Sequence, residues 1–294
     1  GPISNEKFIF SRSLSFLKKL SKKFSTVQNG NLLPKIVSMI IFFMNQNQKN
    51  KSLSEILDIK KLMNVDKAIE SANGLPNECY TSEQYLEYER DKIFCDKWSV
   101  IGVGSSIPKA GDAMPYNLLG IPLLIVRDKD LKIRVFHNVC SHRGFKLLDE
   151  PCALKNVIRC PYHSWSYDFK GNLVATPHIG GLNIHNSDKF EKNQSNLKEV
   201  RSKIWMDIIF VNINSNEIDF EDYIKPLEQR WSKFINHEDQ KLLVYSKDHG
   251  SFDLEVNSNW KFAIENYCES YHLPTIHPEL NKVSNINDHY HIQG

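Results

Sequence analysis

At 294 residues, 41% hydrophobic and 24% charged, the chain is long enough for one large or two ordinary domains and can bury a core. This excludes a wholly disordered or collagen-like protein. A formal net charge of +2 argues against nucleic-acid binding through phosphates, and no run of eighteen apolar residues supplies a membrane span.

Residues 1–43 carry Lys7, Arg12, Lys18, Lys19, Lys22, Lys23 and Lys35 against Glu6 alone, a net of +6 that leaves −4 for the other 251 residues. Three readings fit this basic leader: a targeting segment, a peripheral membrane helix, or a stretch foreign to the mature protein, with Met44 as the natural start. Residues 44–84 read as an N-terminal helical segment. Within it Leu53–Leu62 is expected as a helix, with Ser52 as N-cap and Glu55 in capping-box position. Thr81–Trp98 predicts a second helix, with Tyr85, Tyr88, Ile93 and Phe94 on its apolar side.

From Ser99 the pattern changes to short β runs: Val100–Val103, Leu123–Val126, Ile133–Phe136 and Val157–Cys160. Turns are expected at Lys109–Asp112 and Arg127–Asp130, and residues 165–176 predict a hairpin turning at Lys170-Gly171-Asn172. Ile204–Ile213 reads as one strand, 219–238 as a helix, Phe252–Val256 as a strand, and Asn259–Tyr271 as a helix ending before Pro274. The order is short helices, a β block, then mixed α and β. Six cysteines (Cys79, Cys95, Cys140, Cys152, Cys160 and Cys268) are too scattered for a disulfide scaffold, and they suit a reducing, cytoplasmic compartment.

Two Cys–His pairs stand in the β block, Cys140-Ser141-His142 and Cys160-Pro161-Tyr162-His163, with seventeen residues between His142 and Cys160. Chance buried cysteines and surface histidines are one reading. Structural zinc is a second, but zinc sites group like with like. Two loops that each offer one thiolate and one imidazole match a Rieske [2Fe–2S] cluster, with both cysteines on one iron and both histidines on the other. Gly144 and Pro161 are residue types that allow tight backbone around such a cluster, and Ser164 and backbone N–H groups would tune its potential.

A second constellation lies in Glu265-Asn266-Tyr267-Cys268-Glu269-Ser270-Tyr271-His272-Leu273-Pro274-Thr275-Ile276-His277. On a helix, Glu269 would share a face with His272 and with Glu265. Pro274 is expected to end that helix, so that the chain turns and brings His277 back to His272. An amphipathic helix with incidental histidines at its end is the plainer reading. A zinc hydrolase lacks its HExxH spacing here.

The flanks Asn138–Gly144 and Cys160–Asp168 closely resemble the cluster loops of Rieske non-haem iron oxygenases. Residues 265–277 resemble the same family's mononuclear iron motif. The resemblance covers roughly residues 75–294. It implies an α+β fold: a Rieske-type β domain at 85–215, then at 216–294 the N-terminal part of a helix-grip (START-like) catalytic domain. It implies that Cys140, His142, Cys160 and His163 hold a [2Fe–2S] cluster. His272 and His277 would be two ligands of a mononuclear Fe(II). Glu269 would be the residue that links His272 to His163 of a neighbouring protomer, with Glu where many members have Asp. Glu265 and Asn266 would support it.

The family's carboxylate ligand comes from a later helix. The chain ends seventeen residues past His277, and neither Glu279 nor Asp288 matches that ligand's position. A C-terminally truncated fragment, inactive by itself, is therefore expected. The implied activity is that of a terminal oxygenase α subunit, commonly a trimer, acting on O2 and a small organic substrate. NAD(P)H-derived electrons would arrive through a separate reductase, with or without a ferredoxin, because no dinucleotide fingerprint occurs in the chain. The Glu-Asn-Tyr-x-Glu-x-Tyr-His form resembles members that act on quaternary ammonium compounds by hydroxylation or N-demethylation. Aromatic-ring dihydroxylation is the runner-up. A Rieske ferredoxin-type electron carrier and a zinc-stabilised interaction module are the competitors from other classes.

Overall fold

The computed structural model describes residues 52–68, 70–187, 190–215, 218–245 and 255–289. The described residues from Ile56 onward belong to one compact unit. The helix expected over Leu53–Leu62 is broken into α1 (Leu53–Ile56) and α2 (Ile59–Met63). Glu55 Oε2 accepts the Ser52 N–H at 2.7 Å, the back-bonding half of a capping box. Asp58 makes the break. It is extended, and its carboxylate accepts the Lys60 N–H at 2.9 Å, so it caps a new helix instead of continuing the old one. The helix expected over Thr81–Trp98 starts earlier and restarts once. It comprises α3 (Glu78–Thr81), α4 (Glu83–Glu89), capped where Ser82 Oγ accepts the Tyr85 N–H at 3.2 Å, and a π-helical turn at Arg90–Cys95.

Ten strands form three antiparallel sheets among the described residues. In the first, β1 (Ser99–Val103) pairs with β10 (Ile208–Asn212), which pairs with β9 (Arg201–Trp205). The second has the order β4-β3-β2-β5, from β2 (Asp112–Leu118), β3 (Ile121–Arg127), β4 (Ile133–His137) and β5 (Cys152–Ala153). The third joins β6 (Ile158–Arg159), β7 (Ser166–Tyr167) and β8 (Leu173–Ala175). The expected hairpin turns where Asp168 Oδ1 accepts the N–H of Lys170 at 2.8 Å and of Asn172 at 2.9 Å. Gly171 sits there at φ 85, and a Cβ on it would stand 2.5 Å from Phe136 Cε1.

Strand β3 explains its own sequence. Leu123, Leu124, Ile125 and Val126 are all 0% exposed because both faces of the strand are covered. Leu124 and Val126 pack with Phe136, Cys140, Cys160 and Trp165. Leu123 and Ile125 pack with Ile101, Val135, Ile209 and Val211. Each such side chain contributes about 1.5–3 kcal/mol of burial. No apolar run marks β2, which carries Pro115 and several polar residues; it pairs with β3 from Ala113 to Leu118.

The single strand expected over Ile204–Ile213 is two strands of a hairpin, β9 and β10. The chain reverses at Met206 and Asp207, both left-handed at φ 50 and φ 66. The turn lacks the usual Gly or Asn. Asp207 is held by tertiary contacts instead: its carbonyl accepts the Gly104 N–H at 2.7 Å and its carboxylate accepts the Ser105 N–H at 3.1 Å.

The remaining described residues are helical or irregular. Helix α5 (Phe220–Trp231) docks through Phe220 and Ile224 onto Trp98 and Phe210. It stops before the expected residue 238, and Asn236 Oδ1 caps a separate α6 (His237–Gln240) by accepting the Asp239 N–H at 2.9 Å. Residues 252–254 of the expected strand Phe252–Val256 lie outside the described residues, and Glu255 and Val256 are irregular. Then follow α7 (Trp260–Tyr267), α8 (Leu273–Ile276) and α9 (Pro278–Val283). Among the described residues, no helix is long and apolar enough to cross a membrane.

Candidate functional site

The first Cys–His loop leaves β4, and the second lies inside the β6–β7 hairpin. They share one backbone design. The Cys140 N–H donates to Phe145 O at 2.8 Å, and the Cys160 N–H donates to Trp165 O at 2.8 Å, five residues on in each case. The carbonyls of Cys140 and Cys160 accept the Gly144 and Ser164 N–H groups at 2.8 and 3.0 Å. Gly144 and Ser164 are both left-handed, at φ 69 and φ 58, so Ser164 takes backbone strain that Gly144 avoids.

Asn138, fully buried, anchors the first loop from below. Its Nδ2 donates to Leu148 O at 2.7 Å, and its Oδ1 accepts the N–H of Leu147 at 3.2 Å and of Leu148 at 3.0 Å.

Cys140 and Cys160 lie side by side in the core, 2% and 1% exposed, while His142 and His163 are half-buried. The imidazole centroids of His142 and His163 are 4.8 Å apart. His142 stacks on Trp165 at 4.5 Å, and Tyr162 lies 3.9 Å from His163. The sulfurs are therefore deep and the imidazoles shallow, the division that a cluster with one iron on thiolates and one on imidazoles needs.

Two observations test the fit. His142 Nδ1 is buried with no hydrogen-bond partner, a cost that a lone pair turned to a metal removes. Burial, then the nearby His163 and Arg143, hold His142 below its ordinary pKa and keep it neutral, the ligand form. Among the described residues, no three His, Cys, Asp or Glu side chains converge as if to hold a single metal ion. A two-iron cluster with two protein donors per iron does not require that.

Tyr167 is 0% exposed, and nothing in the sequence around it marks it as functional. Its hydroxyl lies 3.1 Å from Cys140 Sγ, and its oxygen accepts the Ser141 N–H at 3.2 Å. With the Ser141 N–H occupying that oxygen, the Tyr167 proton is free to donate to sulfur. Burial pushes the Cys140 thiol up, and so does Cys160; the Tyr167 hydroxyl and the His142 backbone N–H pull it back. The sequence signal for Tyr167 was weak: an aromatic residue two positions after Trp165 in a short strand reads as core.

The second constellation assembles by a different route from the one expected. Helix α7 ends at Tyr267 rather than Tyr271, so Glu269 and His272 do not share a helical face. Pro274 does not end that helix. It stands in the first turn of α8, where a missing N–H costs nothing. His272 is the N-cap and His277 the C-cap of this single turn, and their ring centroids are 5.5 Å apart. The expected meeting of the two imidazoles therefore holds.

Glu269 faces His272. One carboxylate oxygen accepts the His272 N–H at 3.3 Å, and the other contacts His272 Nδ1. Burial pushes the Glu269 carboxyl up, but the His272 contacts outweigh it and hold the pKa below the ordinary value. Glu265 does not join this pair: its carboxylate accepts the Tyr80 hydroxyl at 2.6 Å.

Residues 97–186, which span both Cys–His loops, match the Rieske [2Fe-2S] domain family. Residues 243–294, which span Glu269, His272 and His277, match the ring hydroxylating alpha subunit (catalytic domain). Fold and site thus define a Rieske iron–sulfur domain joined to part of an oxygenase catalytic domain. The chain belongs to the Rieske non-haem iron oxygenase family, on the side of its α subunits.

The carnitine monooxygenase oxygenase subunit of Acinetobacter pittii (strain PHEA-2) is 30% identical over 217 residues, 74% of this chain and 56% of its own length. The glycine betaine monooxygenase oxygenase subunit of Pseudomonas aeruginosa (strain UCBPP-PA14) is 28% identical over 209 residues, 71% of this chain and 46% of its own. The crystal structure of the quaternary ammonium Rieske monooxygenase CntA in complex with L-carnitine superposes with a TM-score of 0.61 at 30% identity, over 70% of this chain and 56% of that one. Naphthalene 1,2-dioxygenase from Rhodococcus sp. shares the fold with a TM-score of 0.59 at 20% identity, over 78% of this chain and 52% of its own. The chain spans about half the length of the curated relatives it matches.

Proposed function

We propose that the whole protein is the oxygenase component of a Rieske non-haem iron system. It would act on a small organic substrate, with a quaternary ammonium compound favoured. What carries the reading is the pair of matching loops, each presenting one buried cysteine and one half-buried histidine, with His142 Nδ1 buried and unpartnered. The carnitine and glycine betaine relatives support the substrate class. The second reading, aromatic-ring dihydroxylation, is favoured by benzene 1,2-dioxygenase subunit alpha of Pseudomonas putida, 28% identical over 210 residues. A plain electron carrier explains the first constellation but leaves the His272–His277 pair and the catalytic-domain match without a purpose.

In this reading Cys140, Cys160, His142 and His163 hold the cluster, and His272 and His277 give two nitrogens to a mononuclear Fe(II). When bound, the cluster supplies single electrons and the iron activates O2. The chain's own residues prepare both sites. Tyr167 donates its proton toward Cys140 Sγ and steadies sulfur charge. Glu269 holds the Nδ1 proton of His272, which fixes the tautomer and leaves the Nε2 lone pair for metal. The Glu269 carboxylate has lone pairs to spare beyond its His272 contacts, enough to accept a bond from His163 of the partner subunit in a trimer. Electrons would come from NAD(P)H through a separate reductase, with or without a ferredoxin, and the assembly would work in the cytoplasm.

The test uses the full-length protein. His272→Ala is expected to abolish turnover and leave the cluster's visible spectrum intact; product formation by that variant refutes the assignment. Iron counting separates the classes: two irons per chain for a carrier, three for an oxygenase, none for a zinc module.

A further inference from the structure

We propose that Lys261 and Glu89 are positioning residues for the Glu269–His277 segment. They form a buried ion pair in an aromatic cage that holds α7 in register against α3 and α4. The proposal rests on the iron reading of His272 and His277 above.

Lys261 lies in the first turn of α7 and is 7% exposed; Glu89 ends α4 and is 2% exposed. Lys261 Nζ stands 2.8 Å from both carboxylate oxygens of Glu89. The Trp260 indole N–H donates to Glu89 Oε2 at 3.2 Å. The rings of Trp260, Tyr85 and Tyr80 surround the ammonium at 5.0, 5.3 and 5.6 Å. Lysine is almost never this buried unless paired. Removing both charges from water offsets much of their attraction, and apolar residues of equal size would hold the helices about as well. What the pair adds is register. A shift of α7 by one residue rotates it ~100° and moves it ~1.5 Å, which takes Nζ out of the cage.

The same helix is tied at further points. Asn259 Nδ2 donates to Tyr80 O at 3.1 Å, the Tyr80 hydroxyl donates to Glu265 at 2.6 Å, and Tyr80 stacks on Phe262 at 4.6 Å. Phe94 meets Trp260 edge-on at 5.1 Å. Beyond Glu265 the helix runs only to Tyr267 before Glu269 and His272 follow. Tyr267 and Tyr271 are 89% and 77% exposed, so their own packing holds this stretch little. The direction in which His272 and its Glu269 partner leave the helix is therefore set by how α7 is seated, and the ion pair sets the seat.

The experiment compares amide hydrogen exchange over residues 268–277 with exchange in β3, in the full-length protein and its Lys261→Met variant. Ile224→Ala, in the separate Trp98–Phe210–Phe220 cluster, is the destabilised control. Visible circular dichroism of the cluster reports an intact β block. Co(II) absorption reports metal at the histidine pair, with His272→Ala as its blank. Lys261→Met strands the Glu89 charge and is expected to speed exchange at 268–277 by about tenfold more than in β3. It is also expected to weaken Co(II) binding by about tenfold to a hundredfold. If Lys261→Met does not fold, Lys261→Met with Glu89→Gln carries the same comparison without the stranded charge.

Exchange that rises equally in β3, or equally in Ile224→Ala, overturns the proposal. So does local loosening with unchanged Co(II) affinity. If the unaltered protein holds no Co(II) that His272→Ala releases, the iron reading falls instead, and the exchange comparison alone decides whether the clamp seats α7.

Discussion

Replacing Tyr167 with Phe removes one hydroxyl and leaves the ring in place. That hydroxyl lies 3.1 Å from Cys140 Sγ, and both groups are buried, at 0% and 2% exposure. No solvent proton can replace the lost donor. A hydrogen bond to a charged acceptor contributes about 1.5–3 kcal/mol. The bond strengthens as electron density on sulfur rises, so a part of that figure, about 1–1.4 kcal/mol, is expected to favour the reduced state. For a one-electron couple, ~59 mV corresponds to a tenfold change in equilibrium, or ~1.4 kcal/mol. Tyr167→Phe should therefore lower the cluster potential by about 40–60 mV. The Ser141 N–H also loses its acceptor at 3.2 Å, which costs about 1–3 kcal/mol of stability where that group stays buried. The assay is a redox titration followed by visible circular dichroism, with thermal unfolding alongside. An unchanged potential, with the cluster bound, would refute the claim that the Tyr167 proton points at sulfur.

Two further outcomes test the scaffold. Gly171→Ala places a Cβ 2.5 Å from Phe136 Cε1 at a residue with φ 85, so it should cost about 1–3 kcal/mol by denaturant unfolding; a neutral result would mean that the 168–172 turn relaxes freely. Asp128, 0% exposed, is pushed up by burial but pulled down further by the Lys132 and Asp130 N–H groups and by Arg134 at 2.8 Å, so its folded pKa lies below the ordinary value. A depressed carboxylate stabilises above its unfolded pKa and loses that contribution as pH falls through the folded one. The stability gap between the native protein and Asp128→Asn should accordingly be full above about pH 5 and close as pH drops below about 4. A gap of constant size from pH 7 down to pH 2 would contradict the ion-pair account.

The candidate donors of both constellations stand out in the sequence because ligand chemistry is local. Cys140 with His142, and Cys160 with His163, stand within three residues of one another, so one short loop carries both members of each pair. The continuous apolar run Leu123–Val126 likewise announced a strand, and only the structure showed both of its faces covered. Legibility failed where a local pattern had two solutions. Ile204–Ile213 is apolar enough to be one strand, and it becomes a hairpin only because Gly104 and Ser105, about a hundred residues away, hydrogen-bond to Asp207 and hold its left-handed turn. Pro274 reads as a helix stop and acts as a helix start, since the same ring tolerates the first turn and forbids the interior.

Thus the sequence by itself determined the candidate donors, their pairing into two loops, the α+β order and the family. Tertiary structure alone decided which groups serve those donors. It put the Tyr167 hydroxyl on Cys140 across 27 residues, sent Glu265 to Tyr80 across 185, and left His142 Nδ1 buried and unpartnered. Spacing along a chain governs geometry only within a turn or a hairpin. Which distant atom fills a buried hydrogen bond depends on how whole elements pack, and packing is settled by the sum of many small contacts that no short motif records.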